Sequence, residues 1–179
     1  MTNANRKHRK RIALVGALLA LGAPLAHAGP EQDTEQAEKE FARGNLVVSM
    51  SLWRKAAGEG YAPAQARLGD ILDKAEEDVD AVSWYRKAAD QGNAAGEFGL
   101  GLMYGKGEGV QRDEAQARKY ISLAAGRDYL PAVIVMVDMY KSGTLGTTPD
   151  LAESAKWKAK ADELRAKEAA LAKAKEGDK

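Results

Sequence analysis

The chain has 179 residues, of which 45% are hydrophobic, 30% charged and 6% aromatic, and its formal net charge is +1. This length suits one domain or a short array of repeats, and the composition excludes a fibrous or wholly disordered protein. Because the chain contains no cysteine, it has no disulfide, no thiolate metal ligand and no lipid-modified cysteine.

The first 28 residues predict a cleaved secretory signal peptide. Five basic residues and no acid lie within positions 6–11, an uncharged apolar run covers 12–23, and the triplet Ala26-His27-Ala28 follows. This order is typical of signal peptides. The apolar run is shorter than the roughly 20 residues that span a bilayer as a helix, which disfavours a retained anchor. We expect cleavage between Ala28 and Gly29, with Ala26 as the second small residue of the cleavage site.

Cleavage would change the chemistry available to the protein. The mature chain 29–179 would carry 22 Lys+Arg against 26 Asp+Glu, and both histidines, His8 and His27, would leave with the signal peptide. The mildly acidic surface disfavours nucleic acid and stable membrane association. Without histidine, cysteine or a recognisable catalytic motif, we expect no enzyme, no cofactor and no bound metal.

Internal repeats fill the rest of the chain. Residues 53–62 (WRKAAGEGYA) align with residues 85–94 (YRKAADQGNA) at an offset of 32. A third copy follows at an offset of 36, at which Trp84 corresponds to Tyr120, and an offset of 37 then relates Tyr120 to Trp157. Three copies of this length predict a solenoid of stacked repeats.

The apolar spacing predicts helices along the whole mature chain. Residues 35–43 and 46–57 indicate a degenerate opening pair, and residues 81–89 place apolar side chains three and four apart. A Gln-Gly-Asn turn precedes the next helix, 94–104, whose three glycines predict a close approach of two helix backbones. No segment alternates like a strand, so we predict an all-α protein.

The remaining elements follow the same logic. A glycine-rich loop covers 105–110, and Asp113 predicts the N-cap of a helix that runs to Ala125. Residues 131–140 form a helix that is apolar nearly all round. A long helix begins near Pro149, packs as a cap up to Leu164, and continues as a solvated tail rich in alanine, lysine and glutamate.

These motifs resemble a known family. The segments WYRKAADQGNA (84–94), LGLMY (100–104) and GEGV (107–110), followed by Asp113, are similar to a Sel1-like repeat (SLR), which belongs to the tetratricopeptide-like helical solenoids. The resemblance is strong over 81–117, clear over 118–157 and partial over 46–80. The third copy departs from the pattern at Leu123 and at Arg127-Asp128.

The resemblance implies a right-handed α-solenoid of antiparallel helix pairs that serves as a protein-binding scaffold, commonly in envelope and signalling assemblies. We therefore predict about three SLR units, a degenerate N-terminal pair and a long C-terminal capping helix. In residue numbers, the prediction is a signal peptide at 1–28, an N-terminal helix at 29–45, a repeat domain at 46–164 and a charged tail at 165–179. The repeat units are placed at about 46–80, 81–117 and 118–157.

Two groups of residues are candidates for packing and recognition. Aromatic residues at repeat-equivalent positions predict a core between repeats; they are Trp53, Trp84, Tyr85, Tyr104, Tyr120, Tyr140 and Trp157. The all-round apolar helix predicts that Val133, Val137 and Met139 border a groove for a partner, unless neighbouring helices cover them. We take Arg67, Asp70 and Glu97 with them as candidate partner-binding residues.

The sequence thus favours a non-enzymatic, exported scaffold that binds a protein in the bacterial envelope. A periplasmic location is the simplest reading, and full secretion is the alternative. A glycan-binding or polysaccharide-export scaffold is the second functional hypothesis, because the aromatic side chains could stack on sugar rings.

Overall fold

The structure, a computed structural model, describes residues 29–177 and contains eight α-helices in that range. In chain order they are α1 Pro30–Ala42, α2 Leu46–Gly58, α3 Ala62–Lys74, α4 Asp78–Asp90, α5 Ala94–Lys106, α6 Glu114–Gly126, α7 Leu130–Ser142 and α8 Leu151–Gly177. No strand occurs between residues 29 and 177. The all-α prediction is therefore confirmed for the described chain.

Local sequence signals set where these helices begin and end. Asp113 caps α6, because its Oδ1 atom accepts a hydrogen bond from the backbone N–H of Gln116 at 3.0 Å. The turn between α4 and α5 contains Gly92 at a φ of +72°, in the left-handed region that glycine enters without strain. Asp128 takes the equivalent place between α6 and α7 at a φ of +62°, which explains the departure of the third repeat at this point.

The helices form four antiparallel pairs, α1–α2, α3–α4, α5–α6 and α7–α8, each packed on the next. The fourth residue of every odd-numbered helix is buried, which fixes the common register; these residues are Asp33, Gln65, Glu97 and Val133. The helix pairs therefore begin at residues 30, 62, 94 and 130. The predicted unit boundaries at 81 and 118 fall inside α4 and α6, and α1 belongs to a complete pair of its own.

The odd-numbered helices lie on the inside of the curve. Helix α3 contacts α1 and α5, whereas the even-numbered helices contact mainly odd-numbered ones in the described chain. Helix α7 packs less closely on α5 and continues this row by its register. Successive helices that approach one another closely lie on the concave side of a stacked array. We call the solvent-facing side of α1, α3, α5 and α7 the inner face.

A single tyrosine shows how tightly neighbouring pairs pack. The ring of Tyr85, on α4, lies between Gly69 of α3 and Gly99 of α5. A Cβ atom added at Gly69 would stand 2.7 Å from Tyr85 Cδ1, and one at Gly99 would stand 2.5 Å from the same atom. An alanine at either position would overlap the ring. The predicted close approach of helix backbones is confirmed elsewhere on α5, since a Cβ atom at Gly96 would stand 3.0 Å from the backbone N of Ala89, and one at Gly101 would stand 3.1 Å from the backbone N of Ile121.

Helix α8 ends the array by replacing core residues with charges. The position of Trp53, Tyr85 and Ile121 in α2, α4 and α6 is occupied by Lys158 in α8. One turn further on, Asp162 stands where the earlier helices carry a buried alanine, and its Oδ2 atom accepts from Lys158 Nζ at 2.9 Å. A further helix packed on this face would bury an ion pair, so the stack stops here.

The last part of α8 projects from the array. Ala161 and Leu164 are buried, whereas residues 165–175 are all exposed. None of the helices within residues 29–177 is both long and apolar enough to cross a membrane.

Candidate partner-binding face

The inner face is defined by the sides of α3, α5 and α7 that point away from the even-numbered helices. On α5, Gly96 and Gly99 meet α4 and Gly101 meets α6, so the opposite side is the free one. The same reasoning applies to α3 and α7. The inner-face residues that matter below are Arg67 and Asp70 on α3, Phe98 and Leu102 on α5, and Ile134 and Asp138 on α7.

A carboxylate and aromatic rings meet at the centre of this face. The hydroxyl of Tyr85 emerges between α3 and α5 and donates a hydrogen bond to Asp70 Oδ1 at 2.9 Å. Partial burial raises the pKa of Asp70, against the opposing effects of the Tyr85 hydroxyl and the Arg67 charge. Next to it, Tyr129 packs edge-on against Phe98 with ring centroids 5.5 Å apart. Burial and the nearby Asp70 charge both raise the pKa of Tyr129.

Arg67 connects the first two helix pairs. Its guanidinium lies over the rings of Phe41 and Trp53, at 5.2 and 5.0 Å from their centroids. Its Nε atom is 3.2 Å from Glu38 Oε1 on α1, and the closest approach to Asp70 is 4.0 Å. Arg67 is therefore held mainly by α1 and α2, and it leaves the charge of Asp70 only partly compensated.

The C-terminal half of the inner face is apolar. Phe98 and Leu102 on α5, and Ile134 on α7, are half-buried and pack against the core that contains Ile121, Val133 and Met136. Part of each of these three side chains therefore remains at the surface. Such a continuous apolar strip is suited to recognition by an apolar side chain of a partner.

The all-round apolar helix is covered, contrary to one of our predictions. Val133 and Met139 are 0% and 1% exposed, in a core cluster with Ala161 and Leu164 of α8. These two residues therefore do not border a partner groove. Val137 is half-buried, and its carbonyl accepts a hydrogen bond from Ser154 Oγ at 2.9 Å. Helix α8 thus supplies the cover that the apolar sequence of α7 requires.

Glu97 has a structural role as well. Its side chain is buried, and both of its carboxylate oxygens accept from Arg127 Nε, at 3.1 and 3.0 Å. Arg127 is the C-cap residue of α6, so this ion pair ties the first turn of α5 to the turn between α6 and α7. Glu97 is not available to a partner in this arrangement. Of the predicted charged candidates, Arg67 and Asp70 lie on the inner face.

The repeat-spaced aromatic residues divide into two classes. Trp53 and Tyr85 are fully buried between helix pairs. The others are half-buried, with part of each side chain at the surface; they are Trp84, Tyr104, Tyr120, Tyr140 and Trp157. The ammonium of Lys87 lies 3.8 Å from the Trp84 ring centroid and covers one of its faces.

A separate groove lies on the outer side, between the end of α6 and the start of α8. It has a volume of about 330 Å³ and is lined by Ala125, Gly126, Asp128, Glu153, Lys156, Trp157 and Lys160. The indole N–H of Trp157 is buried and has no acceptor within residues 29–177. The charged rim is internally paired, since Lys160 lies 2.8 Å from Asp128 and Lys156 lies 2.7 Å from Glu153.

The described residues contain no group of three or more histidine, cysteine, aspartate or glutamate side chains arranged to hold a metal ion. The inner face offers apolar, aromatic and carboxylate groups, which together suit recognition of a partner.

Sequence reasoning missed the apolar part of the inner face and Asp138. The repeat alignment could have indicated Leu102 and Asp138, because they occupy the same position of α5 and α7 that Asp70 occupies in α3.

Comparison with known proteins agrees with the repeat register. The family model for the Sel1 repeat matches residues 62–93 and 94–129, which are the α3–α4 and α5–α6 pairs with their following turns. Two segments of this chain, one helix pair each, are thus similar to the Sel1 repeat. Sel1 repeats generally mediate protein–protein interactions and form non-catalytic scaffolds. A search of proteins with curated functions finds no match.

Two solved structures of Sel1 repeat proteins are similar to this chain. One is c5321, a protective antigen present in uropathogenic Escherichia coli strains that displays an SLR fold. It is 33% identical in sequence to this chain, with a TM-score of 0.66, and the match covers 76% of this chain and 31% of c5321. The other is a Sel1 repeat protein from Oxalobacter formigenes, 30% identical, with a TM-score of 0.65 over 76% of this chain and 41% of its own. The chain thus spans less than half the length of either protein.

Proposed function

We propose that this protein is a non-catalytic scaffold that binds protein partners through its inner face in the bacterial cell envelope. The observation that carries this proposal is the partly exposed apolar strip of Phe98, Leu102 and Ile134. These side chains lie on the concave side of a helical repeat array, and Sel1 repeats generally serve protein–protein interactions.

The envelope location rests on residues 1–28, which lie outside the described part of the chain. Their basic head, apolar middle and Ala26-His27-Ala28 triplet support export and cleavage before Gly29. We propose the periplasm as the destination, with secretion as the alternative. The test is to express the full chain in a Gram-negative host and to sequence the N-terminus of the fractionated protein. A mature N-terminus at Gly29 is expected, and an intact Met1 in the cytoplasm would refute export.

Partner binding is tested by crosslinking whole cells that express the full chain with a C-terminal tag. We expect one dominant envelope protein to co-purify with the natural chain and to disappear in Leu102→Lys, because a lysine would place a charge in the apolar strip. The matched control is Leu123→Lys, since Leu123 is an exposed leucine on the outer helix α6. A partner that both variants retain would contradict a role for the inner face.

The groove beside Trp157 favours glycan binding as a second candidate function. An indole that lines a groove together with charged side chains suits stacking on a sugar ring and hydrogen bonding to its hydroxyls. This candidate predicts a saturable change in tryptophan fluorescence on titration with cell-wall or exopolysaccharide fragments. The change should vanish in Trp157→Ala and persist in Leu102→Lys.

A further inference from the structure

We infer that the inner face binds an extended segment of a protein partner in which one apolar side chain lies between two basic side chains. This inference rests on the proposed function, because it names the partner chemistry that suits the same face. It follows from a row of equivalent positions across three helices, namely Asp70 on α3, Leu102 on α5 and Asp138 on α7.

Asp70 supplies the first point of recognition. Its side chain is 40% exposed, so one side remains open to a partner while the Tyr85 hydroxyl holds Oδ1 at 2.9 Å. The Phe98–Tyr129 pair lies beside it, and a carboxylate next to aromatic rings favours an ammonium or guanidinium group. Partial burial makes the carboxylate costly to leave without a cation, which a basic partner residue would provide.

The surrounding charges strengthen this preference. The carboxylates at this site outnumber the cations: Glu38, Asp70 and Asp73 stand against Arg67 and Lys74. Arg67 lies closer to Glu38 than to Asp70, at 3.2 against 4.0 Å. The charge around Asp70 is therefore net negative and favours a basic segment.

Leu102 supplies the middle of the row and Asp138 its far end. Leu102 is flanked by Phe98 on its own helix and by the apolar residues of α7, so an apolar side chain of the partner would be buried there. Asp138 is exposed and forms no hydrogen bond or ion pair with the other residues of the described chain. It is available for a second basic side chain.

Helix spacing sets the expected length of the motif. Helices α3 and α5 pack directly, and packed helices lie about 8–10 Å apart, so Asp70 and Leu102 are separated by about that distance. Helices α5 and α7 pack less closely, so Asp138 lies farther from Leu102 than Asp70 does. An extended chain advances about 3.3 Å per residue. The expected motif is therefore a basic residue, an apolar residue about three positions later, and a second basic residue about four or more positions after that.

The test is a selection of random 12-residue peptides displayed on phage, against protein purified after expression of the full chain. We expect enriched peptides to carry lysine or arginine on both sides of a leucine, isoleucine, methionine or phenylalanine, at the spacing given above. The best peptide is then synthesised with a fluorescent label, and its dissociation constant is measured by anisotropy. Acidic enriched peptides, or no enrichment at all, would overturn the inference.

Variants identify the groups responsible. Asp70→Asn and Asp138→Asn should each weaken binding about fivefold to tenfold, the size of one charge-assisted contact. Asp90→Asn is the matched control, because Asp90 is an exposed carboxylate at the end of the outer helix α4, and it should leave affinity unchanged. Asparagine at position 70 can still accept the Tyr85 hydrogen bond, so the variant is expected to fold.

The two proposals fail in different ways. If Leu102→Lys abolishes peptide binding while neither aspartate variant changes it, the basic motif is refuted and the scaffold function stands. If crosslinked cells yield no partner that depends on Leu102, the scaffold function itself is refuted.

Discussion

Replacing Gly99 by alanine tests the packing between the second and third helix pairs. Alanine favours the helix interior by about 1 kcal/mol over glycine. Against this gain, the new Cβ would stand 2.5 Å from Tyr85 Cδ1 and 2.6 Å from Cζ, well inside contact distance. The ring has little freedom to move, because Gly69 lies against its other side and Asp70 holds its hydroxyl at 2.9 Å.

The expected cost follows from these constraints. Overpacking a rigid core costs roughly 1–3 kcal/mol of folding stability. Because the Tyr85 ring cannot move away from the new methyl group, we expect a cost near the upper end of this range. After the helix-propensity gain is subtracted, Gly99→Ala should destabilise the protein by about 2 kcal/mol. For a chain of this size, that loss lowers the melting temperature by roughly 4–8 °C.

Thermal melts followed by circular dichroism measure this effect. Gly126→Ala is the control, because an added Cβ meets nothing within 4 Å at the exposed end of α6, and its stability should stay equal or rise slightly. The next interface, between the third and fourth helix pairs, suggests a rescue, since it has Ile121 in place of the tyrosine and Val135 in place of the glycine. Tyr85→Ile should therefore relieve the overlap in Gly99→Ala. A single variant Gly99→Ala as stable as the natural chain would refute the reasoning.

Three further substitutions test individual contacts. Arg127→Ala should destabilise the fold by roughly 1–3 kcal/mol in urea denaturation, because Glu97 would be buried without its cation, and adding Glu97→Gln should recover part of the loss. Asp70→Asn should raise the melting temperature at neutral pH, because folding raises the pKa of this carboxyl and so disfavours its ionised form. This gain in melting temperature should shrink as the pH falls through the raised pKa towards 3.8, because the natural carboxyl then becomes neutral as well. A gain that grows on acidification would contradict this reasoning. Asp128→Gly should be more stable than Asp128→Ala by about 1 kcal/mol, because only glycine adopts the left-handed backbone without strain. The comparison isolates the backbone, since both variants lose the same ion pair with Lys160. Equal stabilities would show that the turn carries no strain.

Much of the fold could be predicted because its signals are local. The N-cap at Asp113 and the turn at Gly92 depend on residues within a few positions of each other, and both are as expected. The glycines of α5 predicted close helix contact because glycine in a helix interior is unfavourable without such a reason. The repeat offset then predicted a stack of helices.

The candidate site was predicted less completely, because burial depends on which helix covers which face. The all-round apolar sequence of 131–140 was compatible with a covered helix or with a partner groove. Packing of α8 buries Val133 and Met139, whereas Leu102 of α5 and Ile134 of α7 remain partly at the surface. No local spacing distinguishes these two sides.

What the sequence alone determined is therefore the set of helices, their repeat, and the glycine positions where they meet, since each depends on neighbours along one helix or on self-similarity of the chain. The tertiary structure decided the register of the pairs and the role of each charge. Glu97 pairs with Arg127, which lies 30 positions away, while Asp70 reaches the inner face beside the Tyr85 hydroxyl. The two carboxylates look alike in the sequence but differ in role, because only folding places Glu97 beside a cation and leaves Asp70 partly exposed to solvent.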